Sequence, residues 1–130
     1  MSLLKIEVSI PEANDGSEPA INTRTGEPYL FGVALARAIR DRLLDEGLSQ
    51  NGHIHGAYET SYNWEGENYT RQERTLSLKV DASDKDQIIE IINDMHPYKT
   101  VSIAATPFEA LTRDYQDWVA GEGEQCLPER

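Results

Sequence analysis

Cysteine is nearly missing: Cys126 is the only one in 130 residues, so no disulfide can brace the chain from within. Tryptophan, phenylalanine and methionine occur twice each. No run of about 18 apolar residues is present, which excludes a hydrophobic span. Positive charge is scarce, with 12 Lys and Arg against 23 Asp and Glu and a net charge of −11. Such a chain repels phosphate backbones and anionic lipid at long range, which excludes nucleic acid and membrane surfaces as partners. The signatures of common catalysis are missing too. There is no glycine-rich phosphate loop, no His-Glu-x-x-His, and no Ser, Cys or Asp nucleophile with a histidine at motif spacing. With no leader pattern at the N-terminus, the expected location is the cytoplasm.

What is present is enough for one domain. A chain of this length buries roughly two-thirds of the surface it exposes when unfolded, so no metal staple is needed. The expected division is a domain over 1–120, carrying an inserted loop at 11–27, and an acidic tail over 121–130. The clearest stretch is Tyr58 to Val80. It reads as a β-hairpin whose first arm ends in Tyr62-Asn63-Trp64, with a turn at Glu65-Gly66-Glu67-Asn68 and a second arm from Tyr69. Arg74, Leu76, Leu78 and Val80 alternate with Glu73, Thr75, Ser77 and Lys79, as in a strand with one buried face. In the first arm Ile54, Tyr58, Tyr62 and Trp64 fall on one side while Thr60 interrupts them, which suggests a bulge. His53 and His55 lie on one face of that arm, a spacing that suits a metal pair or a polar strand edge.

The remaining elements follow in order. Leu4, Ile6, Val8 and Ile10 alternate with polar residues as a first strand. Pro11 to Glu27 lacks periodicity and reads as a mobile acidic loop or a functional lid. Pro28 suits a first helical position, and Phe31, Leu35, Ile39 and Leu43 mark a helix ending near Gly47. Ser83-x-x-Asp86 resembles a capping box opening a helix with Ile88, Ile91, Ile92 and Met95 inward, stopping before Pro97. Thr100 to Ala105 reads as the fourth strand. Thr106-Pro107-Phe108-Glu109 opens a short helix through Trp118. The order β-α-β-β-α-β plus a terminal helix is the ferredoxin-like α+β arrangement, an antiparallel sheet with helices on one face. Glu73, Thr75, Ser77, Lys79, Thr100 and Ser102 then fall on the uncovered face, either solvated or meeting other subunits.

Five motifs taken together carry a resemblance. Tyr62-x-Trp64-Glu65-Gly66, Glu73 nine residues after the tryptophan, Lys79 six further on, His96-Pro97-Tyr98 and Tyr115-x-x-Trp118 are similar to those of the CutA divalent-ion tolerance proteins. The resemblance covers about Ala36 to Val119. It implies a tight homotrimer of ferredoxin-like subunits linked to tolerance or sensing of copper and other divalent cations. It also places Tyr62, Trp64, Gly66, Glu73, Lys79, Tyr98, Tyr115 and Trp118 around intersubunit or ligand clefts, with His96 as a metal-ligand candidate.

The chain departs from that family where its metal chemistry is concentrated. Family members commonly carry a cysteine at the end of the first strand, where this chain has Ser9-Ile10-Pro11, so the soft thiolate is missing. Met95 and Ser102 stand where some members have a second histidine and a glutamate. No cofactor is therefore required, and a divalent cation, copper or zinc, would be held weakly. Two further classes stay open: a trimeric signalling module resembling the PII regulators, with a small ligand between subunits, and an enzyme with its site under the 11–27 insertion.

Overall fold

The computed structural model describes residues 2–14, 16 and 19–121. Where apolar residues alternate, strands form, and where they recur every three or four residues, helices form. The order is β1 (Leu3–Pro11), α1 (Gly32–Asp45), β2 (His53–Trp64), β3 (Glu67–Asp81), α2 (Lys85–Met95), β4 (Ile103–Pro107) and α3 (Arg113–Val119). The strands make one four-stranded sheet in the order β2-β3-β1-β4, every pairing antiparallel. This is the ferredoxin-like plan. Ile6, Val8, Ile10, Leu76, Leu78 and Val80 from the sheet meet Leu35, Ile39 and Leu43 of α1 and Ile88, Ile91 and Ile92 of α2 in one core.

Several boundaries differ from those read in the sequence, each for a local reason. Pro28 does not open α1. It is bridged to Ile21, which holds it extended, and the helix begins at Gly32 after an extended Phe31. Ser83 does not cap α2. The Asp81 side chain accepts from the Ser83 N–H, a turn of 3-10 helix fills Ala82–Asp84, and α2 follows. β4 starts at Ile103, later than Thr100, because Ser9 leaves the ladder there. Its N–H goes to the Ser102 carbonyl at 3.1 Å, but its own carbonyl is bonded by His96. Thr106 and Pro107 stay in the strand, opposite Lys5 and Leu4; a proline is tolerated there because β4 is an edge. α3 therefore opens later, with Thr112 accepting from the Tyr115 N–H at 3.2 Å.

The 11–27 stretch, read as an irregular loop, contains regular structure. Pro11 ends β1, and residues 20–29 form a small hairpin in which the Tyr29 N–H bonds the Ala20 carbonyl and the Asn22 N–H bonds that of Glu27. Most of the acidic tail lies outside the described residues, as does Cys126.

Candidate functional site

The hairpin outruns the sheet. β2 has 12 residues and β3 has 15, where about five or six is usual. β1 ends with Pro11 opposite Glu73, so residues 67–72 of β3 pair with β2 and no other strand. The turn has two residues, Glu65 and Gly66, rather than four. Both take positive φ, 51° and 84°, the mirror-image geometry that matches strand twist.

A bulge between Gly56 and Tyr58 decides which side the aromatic residues take. Gly56 sits at φ +114°, and a Cβ there would lie 3.0 Å from the Arg74 Cα, so a side chain is excluded. One extra residue reverses the alternation. Ile54 consequently packs against the core, whereas Tyr58, Thr60, Tyr62 and Trp64 pair with Glu73, Arg71, Tyr69 and Glu67 on the opposite face. The sequence grouping of Ile54 with Tyr58, Tyr62 and Trp64 is thus corrected. Tyr62 and Tyr69 stack with centroids 5.7 Å apart, the Tyr58 hydroxyl bonds that of Thr75, and Trp64 stays 48 % exposed. Glu73 and Ser77, expected on an uncovered surface, are buried in this single chain, whereas Thr75 and Lys79 of the same face stay half-buried.

His96 closes α2 as its C-cap and is 2 % exposed. Its Nε2–H donates to the Ser9 carbonyl at 2.7 Å, and its Nδ1 accepts the Tyr98 N–H at 3.1 Å. Those two bonds fix one neutral tautomer. Burial pushes its pKa below the ordinary 6.5, with the Ser9 bond pulling the other way. Desolvation therefore outweighs the hydrogen bond to Ser9, which favours the charged form. Tyr98 in turn donates from its hydroxyl to Glu73 Oε2 at 3.2 Å, and the Arg71 guanidinium lies 5.0 Å from the Tyr98 ring centroid.

These groups open into a cleft of about 1000 Å³. Its walls are the overhanging hairpin, the connection from α2 to β4, and the 20–29 hairpin. The last is fastened to the end of α2 by Asn22 Nδ2–H donating to the Asp94 carbonyl at 2.8 Å and by the Arg24–Asp94 ion pair. Asn22 is buried and also caps its own turn by accepting from the Arg24 N–H. Ordering entropy of a polar insertion is thereby offset by specific hydrogen bonds.

Of the residues singled out from the sequence, Tyr62, Trp64, Glu73, His96 and Tyr98 line this cleft. Gly66 is in the turn beyond it. Lys79 and Tyr115 line a separate recess of about 380 Å³, and Trp118 stacks on Tyr115 at 5.9 Å. His53 and His55, with rings 6.2 Å apart, lie in β2 before the bulge. Sequence reasoning missed Arg24, Asp94, Tyr69 and Arg71. The last two share the parity of Glu73 and were legible by alternation. Arg24 and Asp94 carried no signal, because their contact joins segments far apart in the chain.

Ser9, His96 and Ser102 converge, the first bonded to each of the others. The donors needed for a tight metal centre do not. Among the described residues no three His, Cys, Asp or Glu side chains gather as a cation site, and His96 spends both nitrogens on backbone groups. The described residues of the chain thus assemble no tight, preformed copper or zinc ligand set.

Comparison with known proteins gives a consistent picture. Residues 32–122 match the family model described as CutA1 divalent ion tolerance protein. The chain is similar to the divalent-cation tolerance protein CutA of Thermus thermophilus, 31 % identical over 85 residues, covering 65 % of this chain and 82 % of the relative. It is also similar to CutA of Thermococcus kodakarensis, 29 % identical over 85 residues, or 65 % and 81 %. Among solved structures, CutA1 of Thermus thermophilus superposes with a TM-score of 0.74 at 22 % identity, covering 93 % of this chain and 98 % of that one. CutA1 of Oryza sativa gives 0.73 at 18 % identity, with 96 % of each chain covered.

Proposed function

Because the chain belongs to the CutA1 divalent ion tolerance protein family, we propose that it serves divalent-cation tolerance as a cytoplasmic homotrimer that holds copper or zinc weakly, without a preformed tight centre. The observation that carries this reading is the state of His96. Its lone pair and its N–H are both committed to backbone groups, and the segment where the resemblance implies a cysteine offers the Ser9 carbonyl instead. Soft divalent cations and Cu(I) prefer thiolate or a neutral imidazole with a lone pair to give. What remains for a cation is the hydroxyl and carboxylate oxygen of the cleft, together with the excess negative charge of the surface.

The homotrimer is supported by the overhang. A two-stranded ribbon ending in exposed Trp64, with Tyr69 at 40 % exposure, presents edge and apolar surface that a second subunit can cover. Three copies, each hairpin docking on the next, close such a head-to-tail contact into a ring. Among the described residues no helix is long and apolar enough to cross a membrane. We assign no enzymatic role.

Calorimetric titration of metal-free protein with Cu²⁺ and Zn²⁺ tests the cation reading. The expected affinity is weaker than about 1 μM, and His96→Gln leaves it unchanged. A stoichiometric submicromolar site abolished by that substitution would contradict it.

A further inference from the structure

The two histidines of β2 take no part in the cleft. His53 and His55 stand opposite Ser77 and Thr75 of β3, while Ile54 between them packs against the core, so both imidazoles leave the sheet on its uncovered face. Both residues are exposed. They precede the bulge at Gly56 and lie roughly 25–30 Å along the strand from Trp64, remote from the hairpin tip assigned to a neighbouring subunit. β3 pairs with this part of β2 on one side and with β1 on the other, so the backbone carrying the pair is fixed.

Their spacing is that of a chelate. A metal ion sits about 2.0–2.1 Å from an imidazole nitrogen and so roughly 3.2 Å from the ring centroid, which puts two rings on one ion roughly 4.5–6.4 Å apart as their angle opens from about 90° to 180°. The observed separation is 6.2 Å. His96 spends both nitrogens on backbone groups, whereas an exposed neutral imidazole keeps a lone pair to give. Directly across β3 stand hydroxyl side chains rather than cations. The net charge of −11 also raises the cation concentration near the surface.

We propose that His53 and His55 chelate one divalent transition-metal ion per chain, Cu²⁺ ahead of Zn²⁺, with water completing its coordination. Imidazole suits both ions, and Cu²⁺ leads the divalent series for a given set of donors. Among the described residues no three His, Cys, Asp or Glu side chains gather, so two nitrogens hold the ion less tightly than the three or four ligands of a dedicated centre. The site is separate from the cleft and its oxygen donors. It deepens the weak-cation reading and rests on it for the range of affinity.

The test is titration of the full chain, in its own assembly state, with Cu²⁺, Zn²⁺ and Mg²⁺, with electron paramagnetic resonance of the copper form. Cu²⁺ is expected to bind once per chain with couplings to two imidazole nitrogens, Zn²⁺ at least about tenfold more weakly, and Mg²⁺ not measurably. His53→Gln and His55→Gln, at exposed positions, should each weaken Cu²⁺ at least about tenfold, because the second bond of a chelate forms at high effective concentration. His96→Gln should leave the spectrum as it is. Two histidines acting independently would instead keep the wild-type affinity in either single variant, and that result overturns the proposal. So does copper bound without imidazole couplings, or bound unchanged in both variants, either of which leaves the weak-cation reading standing. Absence of Cu²⁺ and Zn²⁺ binding at millimolar concentration overturns both.

Discussion

Ser9 and His96, 87 residues apart, are joined by a 2.7 Å hydrogen bond from the imidazole Nε2–H to the backbone carbonyl. This bond ties the end of α2 to the sheet at the place where β1 and β4 part, and it orients the connection that carries Tyr98 to Glu73. Removing the ring leaves the Ser9 carbonyl and the Tyr98 N–H without their partner in a buried setting. His96→Ala is therefore expected to cost about 2–6 kcal/mol, from a desolvation penalty of about 1–3 kcal/mol for each of the two orphaned groups. Urea denaturation of both proteins measures it, and His96→Gln, which can keep one bond, should fall between them.

The same residue sets a pH dependence. Burial holds the folded-state pKa of His96 below 6.5, so protonation favours the unfolded chain. The contribution is fully present above about pH 6.5 and is lost as pH falls from there toward the lower folded value, because the unfolded state binds more protons over that interval. Chemical denaturation midpoints between pH 7.5 and 5 should show a decline for wild type that is smaller for His96→Gln.

Gly56 makes the bulge, and the bulge sends Tyr62 and Trp64 to the cleft side. Gly56→Ala forces a side chain into φ +114° against the Arg74 backbone at 3.0 Å. The expected loss is about 1–3 kcal/mol, and differential scanning calorimetry should show a lowered Tm. If the mutant matches wild type, the strand does not hold this register.

How much of this was legible in the sequence depended on whether the signal was local. Alternation at Leu76, Leu78 and Val80 and the i, i+4 run of Leu35, Ile39 and Leu43 report directly on burial, so sheet, helices and core could be read. The start of β4 could not, because Ser9 gives its carbonyl to a histidine distant in sequence rather than to Ser102. The side taken by Tyr58 turned on one inserted residue at Gly56, whose effect is to invert parity. The 20–29 hairpin looked like a loop because its order comes from Asn22 reaching Asp94, and composition records no such partner. Of the site, the aromatic hairpin and His96-Pro97-Tyr98 were visible as motifs. The wall formed by the insertion was not.

That wall yields its own prediction. Asn22→Ala removes the bond to the Asp94 carbonyl and the cap on Arg24, at about 0.5–1.5 kcal/mol per hydrogen bond. The loss should be local rather than global. Hydrogen exchange is expected to quicken over 20–29 with the global unfolding midpoint little changed, and limited proteolysis should cut there first.

The central claim is that the overhanging hairpin is completed by other copies of the chain, and sedimentation equilibrium tests it most directly. At micromolar concentration the wild type is expected at three times the 14.6 kDa of the subunit. Trp64→Ala, which deletes an exposed aromatic anchor, should lose a few kcal/mol of association, as interface hot spots of about 2 kcal/mol or more do, and shift toward monomer. A wild-type monomer at that concentration would contradict the account.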